Sequence, residues 1–170
     1  MKFRALTAKE TECRIGRVLP NRGGVMLLLY KNARADMAIL DEAVGAENWQ
    51  RDHYECKGNL YCRVGIRVDR PDGGEWVWKS DCGSESNTEK EKGESSDSFK
   101  RACVNWGIGR ELYTAPAIKI TDCIITDDGK CFDRFYVREM VVKDGKITHL
   151  VIYNAAQNIR RNVYEYNAKV

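Results

Sequence analysis

A helical stripe near the middle of the chain limits the folds open to it. Residues 88–113 read TEKEKGESSDSFKRACVNWGIGRELY, and Thr88 with Glu91 has the spacing of a capping box, so a helix is predicted to begin near Glu89. Its apolar residues recur at i, i+3, i+4 and i+7, namely Phe99, Ala102, Cys103 and Trp106. Small residues in its first half suit a close approach by another backbone. The pattern favours a long helix that lies across a sheet.

Between Trp49 and Cys82 the hydrophobic period changes to two, which is typical of strands with one buried face. Turns at Lys57-Gly58-Asn59 and Pro71-Asp72-Gly73-Gly74 divide this stretch into a three-stranded antiparallel meander. Its exposed face is predicted to carry a basic strip beside Tyr61, made of Arg63, Arg67 and Lys79. The alternative is a solvated face with cross-strand ion pairs, such as Arg67 with Glu75.

Elements on both sides complete an α+β prediction: a twisted antiparallel β-sheet, or β-meander, with a long central helix packed across it. Before the meander we predict a helix from Ala8 to about Arg17, a strand Val25–Tyr30, and a helix Ala33–Val44 capped by Asn32, with Met37, Leu40 and Val44 facing inward. After Pro116 we predict strands over 118–126, 132–142 and 146–154, the last two joined at Asp144-Gly145. The tail from Ala155 fits a strand or a helix.

The length, composition, cysteine count and net charge of the chain limit what kind of protein it can be. A length of 170 residues suits one domain, 1–170, and 43% hydrophobic with 31% charged residues is ordinary for a globular protein. No apolar run is long enough to span a membrane, and the first residues lack a signal peptide's apolar segment, so we expect a cytoplasmic protein. Seven cysteines without a CxxC pair indicate reduced thiols. A net charge of +3 permits a polyanionic partner but does not require one.

Arg34 lies in the first turn of the predicted helix Ala33–Val44. A cation there opposes the helix dipole, typically by ~0.3 to 1 kcal/mol, so a negative group is expected nearby. That group is either a carboxylate, from Asp36 or a neighbouring strand, or a phosphate, which free backbone N–H groups at a helix start also attract.

Two long stretches carry a family resemblance. EKEKGESSDSFKRACVNWGIGRELY, together with the earlier LLLYKNARADMAILDEAVGAENWQ, closely resembles the single-strand DNA annealing proteins of the Rad52 and Sak type, especially their short phage and prophage relatives. The match runs roughly from Leu6 to Pro116. It implies a family core over 1–116, followed by a strand-rich extension, 117–170, of the same domain.

The resemblance also implies which residues contact DNA. It places a DNA-contacting arginine at Arg34, and uses the pair Lys100 and Arg101 to hold the DNA backbone in a groove. Asp97, four residues before Arg101, offers a purely structural ion pair instead. At the position where the eukaryotic members of this family carry a further arginine, this chain has Val104. Arg110 is the candidate to compensate for the missing positive charge.

The implied function is ATP-independent binding and annealing of complementary single strands, by a homo-oligomeric ring or helical filament, without a cofactor and without enzymatic activity. The absence of a GxxxxGK(S/T) motif agrees with this. The expected setting is a phage or prophage in a bacterial cell, beside an exonuclease and a single-strand-binding protein. The alternative is a general single-stranded DNA or RNA-binding module that coats a strand without annealing it.

Two further hypotheses involve a metal ion, either in a nuclease site or in a zinc site. Asp72, Glu75 and Lys79 are similar to the PD-(D/E)xK pattern of metal-dependent nucleases, but three residues rather than one separate the last two. His53 forms a zinc site only if three strands align it with Cys56, Cys62 and Cys82.

Overall fold

Two α-helices and nine β-strands occur in residues 1–84 and 90–168, the part of the chain that the computed structural model describes. Short 3-10 turns separate several of them. The elements are β1 Thr11–Val18, β2 Val25–Lys31, α1 Ala33–Val44, β3 Trp49–Cys56, β4 Asn59–Val68, β5 Glu75–Cys82, α2 Lys90–Trp106, β6 Ile118–Ile120, β7 Phe135–Lys143, β8 Lys146–Asn154 and β9 Arg161–Asn167.

The α+β class and the antiparallel pairing of the strands are confirmed, but the strands form two sheets rather than one. The chain divides into two compact units. The first unit contains Met1–Arg4 and Asn32–Gly109, and the second contains Ala5–Lys31 and Arg110–Val170. A single domain over 1–170 stays a prediction.

In the first unit, the helix α1 begins and ends at the residues that the sequence indicates. The side chain of Asn32 accepts hydrogen bonds from the backbone N–H groups of Arg34 and Ala35, at 2.9 and 3.1 Å. Gly45 ends the helix with φ 84°, a conformation that favours glycine. The inward stripe differs from the predicted one: Ile39 is fully buried, whereas Met37 is half-buried.

The three-stranded sheet β3-β4-β5 is the predicted meander, and α2 packs on one of its faces. Cross-strand register runs from Trp49 opposite Ile66 to Cys56 opposite Asn59 on one side of β4. The apolar stripe of α2 is confirmed for Phe99, Ala102 and Cys103, which are fully buried. The predicted cap Thr88 lies outside the described residues.

Close packing between α2 and the sheet depends on a glycine. Gly83 follows β5, and a Cβ atom added there would lie 2.2 Å from the carbonyl oxygen of Glu94 and 2.9 Å from the backbone N of Ser98. Ser98 is itself buried. The predicted close approach at the small residues of α2 is therefore present, and Gly83 is the residue that makes it.

The second unit contains the six-stranded sheet, in the order β6-β2-β1-β7-β8-β9. Its end strands, β6 and β9, also contact each other, so the sheet is nearly closed and barrel-like. β1 and β7 pair only through Glu12 and Tyr136. The buried residues of its core are Val25, Leu27, Ile118, Ile120, Phe135, Val137, Ile147, Leu150 and Ile152.

Two sequence expectations need correction in this unit, and the strand alternative for the tail is confirmed. The predicted helix from Ala8 is a single 3-10 turn, Ala8–Glu10, followed by β1, because alternate residues such as Cys13 and Ile15 pack on the sheet core while their backbone pairs with β2. The strand predicted over 118–126 ends at Ile120. The ambiguous tail forms β9, which pairs with β8.

In the described part of the chain, neither helix combines the length and the apolar character that a membrane crossing needs.

Candidate nucleic-acid interface

The buried stripe of α2 decides where its basic pair lies. Phe99 and Ala102 point into the sheet, so Lys100 and Arg101 between them lie off that face. Lys100 is half-buried and Arg101 is exposed. The pair predicted from the sequence is thus carried by a helix whose orientation the core fixes.

Arg101 is held by a carboxylate from β5. Its Nε donates to Oδ1 of Asp81 at 3.2 Å, and the Arg101 side chain keeps 46% of its surface exposed. The expected partner Asp97 instead accepts a hydrogen bond from the backbone N of Ser84, at 3.1 Å. The structural alternative of an Asp97–Arg101 pair is therefore wrong.

Asp81 is fixed by further contacts. Its Oδ1 also accepts from the backbone N of Cys82 at 2.9 Å, and its Oδ2 lies 3.5 Å from Nδ2 of Asn105. The same Asn105 amide donates to the carbonyl oxygen of Ser80 at 3.0 Å. Asp81 thus positions the guanidinium of Arg101 against a rigid strand, and no sequence spacing pointed to it.

Arg34 is exposed at the start of α1. Asp36 is fully buried, and no carboxylate of the described residues pairs with Arg34. The predicted backbone anion site is partly occupied, however, because Asn32 already accepts from the N–H groups of Arg34 and Ala35. An anion at this end of α1 would therefore meet the side chain of Arg34 rather than these two amides.

Lys79 lies on the opposite face of the sheet from the other members of the predicted basic strip. It pairs with Val64, whose side chain is buried beneath α2. Its Nζ donates to the carbonyl oxygen of Asn105 at 2.9 Å and lies 4.6 Å from the centre of the Trp106 ring. Including Lys79 in the strip was wrong, because the alternation of β5 turns it towards the end of α2.

Trp106 completes this contact between α2 and the sheet. The ring is half-buried, and its Nε1 donates to the carbonyl oxygen of Val64 at 2.9 Å. A cation near the last carbonyl groups of a helix is favourable. Lys79 and Trp106 therefore hold the end of α2 on the sheet.

Arg63 and Arg67 do share the outer face of the sheet, the face that does not pack on α2. Arg63 donates to Oδ2 of Asp52 from Nε and Nη2, at 3.2 and 2.9 Å. The predicted pair of Arg67 with Glu75 does not form, since Glu75 accepts from Nε of Arg70 at 2.7 Å. Arg67 is exposed, and no carboxylate within residues 1–84 or 90–168 pairs with it.

Aromatic residues on the same outer face were missed by the sequence analysis. Trp76 and Trp78 are 40% and 37% exposed, and their ring centres are 6.3 Å apart. Tyr54 stacks on Tyr61 with ring centres 5.5 Å apart. The available signal was the spacing of the two tryptophans, which places both on the face opposite Val77 and Lys79.

Arg110 begins the 3-10 turn Arg110–Thr114 in the second unit and is exposed. It therefore belongs to a different unit from the other six candidate residues. Its role as a compensating cation stays a prediction.

The residues of the zinc reading do not converge. His53 and Cys62 lie opposite each other on the face towards α2, and Nε2 of His53 is 3.2 Å from the carbonyl oxygen of Ser95. Cys56 and Cys82 lie on the outer face. In the described ranges, no three His, Cys, Asp or Glu residues form a metal-binding group. For the nuclease reading, Lys79 and Glu75 are each engaged elsewhere, with Asn105 and Arg70.

Shifted pKa values in this unit come from neighbours and burial. Burial raises the pKa of the Cys62 thiol to about 11. The pKa of Tyr61 on the outer face is raised, first by its electrostatic interaction with the neighbouring Cys82. Both groups are neutral at physiological pH, and the upward shifts move their ionisation further into the alkaline range.

Comparison with known families finds a match. Residues 23–130 match the model of the Rad52/22 family double-strand break repair protein, a range that includes α1, α2, the meander and the start of the predicted extension. Comparisons with curated proteins and with solved structures gave no match. Because the matched range covers well over half of the chain, the chain belongs to the Rad52/22 family of double-strand break repair proteins.

Proposed function

We propose that this protein binds single-stranded DNA and anneals complementary strands without ATP, in the recombination of a phage or prophage. It acts as a binding protein and not as an enzyme. The family membership supports a role in double-strand break repair and recombination. The observation that carries the proposal is the orientation of α2, whose buried stripe leaves Lys100 and Arg101 off the sheet-packed face.

The proposed DNA-contacting residues of the first unit are Arg34, Lys100 and Arg101. Arg34 lies at the start of α1, which packs on α2. In the described residues it has no carboxylate partner, so a phosphate would supply the anion that its helix position favours. Arg101 reaches a phosphate with its guanidinium already oriented by Asp81.

Contacts to phosphates suit the annealing reaction. Phosphate contacts neutralise the strand without reading its sequence, and they leave base edges open for a second strand. A site made of arginine and lysine side chains on fixed helices does this over any sequence. We therefore expect binding that is nearly indifferent to base order.

One chain of 170 residues offers a short track for a long strand. We propose that copies of the chain associate in a ring or helical filament, so that their sites form one continuous path. β5 has a partner on one side only and gives the three-stranded sheet an edge for such contacts. An exonuclease and a single-strand-binding protein are the proposed partners in the cell.

The decisive test mixes two complementary labelled oligonucleotides with the protein in the absence of ATP. We expect faster annealing than without protein, and affinity for one strand that falls steeply with salt. Each neutralised phosphate contributes roughly −0.7 to the slope of log affinity against log salt, so Arg34, Lys100 and Arg101 together contribute roughly −2 for each subunit.

Two outcomes would contradict the proposal. Tight binding without faster annealing would favour the alternative, a general DNA- or RNA-binding module. An affinity for DNA that does not change with salt concentration would contradict the proposed phosphate contacts. Light scattering at micromolar protein tests the oligomer separately, and a monomer that persists with DNA present is the contrary result.

A further inference from the structure

The outer face of the three-stranded sheet combines aromatic rings with uncompensated positive charge. Trp76 is 40% exposed and Trp78 is 37% exposed, although tryptophan side chains are highly buried on average. The pair of tyrosines Tyr54 and Tyr61 lies on the same face. Neither tryptophan takes part in the packing of α2, which occupies the opposite face.

The ring of Trp78 packs against the outer face of the sheet. It lies over Gly65, where an added Cβ atom would be 2.8 Å from the ring carbons. Cζ of Arg63 lies 4.8 Å from the ring centre, and Arg63 is in turn fixed by Asp52 at 2.9 Å. A glycine in the middle of a strand and a bound guanidinium thus orient this ring in place.

Charge on this face favours an anionic ligand. Asp52 balances Arg63, but Arg67 has no carboxylate partner in the described chain and stands directly opposite Trp76. An exposed ring beside an uncompensated guanidinium matches the chemistry of a nucleotide, in which a flat base is attached to a phosphate.

We infer that Trp76 and Trp78 form a stacking surface for the bases of single-stranded nucleic acid, with Arg67 as its phosphate contact. The inference rests on the proposed function for its choice of ligand. It adds a second mode of contact, to base faces, that the basic pair of α2 does not supply. Stacking uses the face of a base and leaves its hydrogen-bonding edge open, so this surface is compatible with annealing.

The test compares two oligonucleotides of equal length, about 16 nucleotides, one of thymidines and one with abasic sites throughout. Both carry the same phosphates. We expect the parent protein to bind the abasic strand at least about fivefold more weakly, the lower end of the effect of one stacked base. We expect thymidines, but not the abasic strand, to quench tryptophan fluorescence.

Variants test whether the preference for thymidines over abasic sites comes from the stacking surface of Trp76 and Trp78. Trp76→Leu with Trp78→Leu should bring the two affinities close together while leaving the salt slope unchanged. Lys100→Ala with Arg101→Ala should weaken binding of both strands by a similar factor and keep the preference. Phe132→Leu is the matched control, since Phe132 is an aromatic residue of the second unit that is 74% exposed.

The outcomes separate the two proposals. A parent protein that binds both strands equally overturns the stacking surface and leaves the proposed function standing. A parent that binds neither strand overturns the proposed function, and the inference with it. If the tryptophan variants keep the preference, or if they change the mass of the oligomer in light scattering instead, the face serves another purpose and the inference is wrong.

Discussion

Arg101 on α2 donates from Nε to Oδ1 of Asp81 on β5, at 3.2 Å, so that a strand carboxylate orients the arginine proposed to bind DNA. Both side chains are partly exposed, with 46% and 26% of their surfaces accessible. Pairs of this kind contribute ~1 kcal/mol or less. The contact therefore matters more for the direction of the guanidinium than for stability.

Removing the basic pair should separate function from folding. We predict that Lys100→Ala with Arg101→Ala abolishes annealing, while the free energy of unfolding falls by no more than ~1 kcal/mol because Lys100 is only half-buried and the pair of Arg101 with Asp81 is partly exposed. Urea unfolding and the oligonucleotide assay measure the two effects. A double variant that anneals at the parent's rate in moderate salt would show that α2 is only structural.

Trp106 should behave in the opposite way. We predict that Trp106→Ala lowers the free energy of unfolding by ~2 to 3 kcal/mol, less than the loss for a fully buried ring because this ring is half-buried. Trp106→Phe keeps most of the packing but leaves the carbonyl oxygen of Val64 without its donor, at a cost of ~1 to 2 kcal/mol. Equal stability of Trp106→Phe and the parent would contradict the role of that hydrogen bond.

Lys79 and Arg67 form a matched pair of cations on opposite faces of the sheet. Lys79→Met should lower the free energy of unfolding by ~1 to 2 kcal/mol, because it removes the bond to Asn105 and the contact with Trp106. Its salt slope for DNA binding should stay at the parent's value. Arg67→Met should leave the free energy of unfolding unchanged and reduce the salt slope. The reverse pattern would mean that Lys79 contacts DNA and that Arg67 supports the fold.

A side chain at Gly83 should destabilise the packing of α2 on the sheet. An alanine Cβ there would lie 2.2 Å from the carbonyl oxygen of Glu94, so β5 or α2 must shift. We predict that Gly83→Ala lowers the thermal midpoint, with a loss of ~1 to 3 kcal/mol. Ser84→Ala, at the next and exposed position, is the control and should stay within ~0.5 kcal/mol of the parent.

Buried thiols should make stability depend on alkaline pH. Burial raises the pKa of Cys13 to about 12 and that of Cys62 to about 11, both from an ordinary value of 9.0. Below pH 9 both thiols are protonated in the folded and unfolded chains. Between pH 9 and 11 the unfolded chain loses these protons while the folded chain keeps them, so stability falls as pH rises.

Urea midpoints between pH 8 and 11 check this prediction. Cys13→Ala with Cys62→Ala should flatten the decline. In thiol labelling of the folded protein, the exposed Cys56 should react before the half-buried Cys13 and the buried Cys62. Equal labelling rates for the three thiols would contradict the burial that the argument requires.

The amino-acid sequence by itself determined the local elements with the strongest signals. Asn32 and Gly45 bound α1 as predicted, and the two-residue turn at Lys57-Gly58 set the register of the meander. The stripe of α2 likewise follows from helical periodicity, which is a property of neighbouring residues. These features need no distant partner, so spacing alone reveals them.

The tertiary structure alone decided the features that depend on contacts between distant segments. β1 is a strand and not a helix because pairing with β2 overrides its local preference. Asp81 rather than Asp97 meets Arg101, since the packing of α2 brings β5 alongside it. Lys79 faces α2, whereas Trp76 and Trp78 face outward, because a strand turns alternate side chains to opposite faces and the helix covers only one of them.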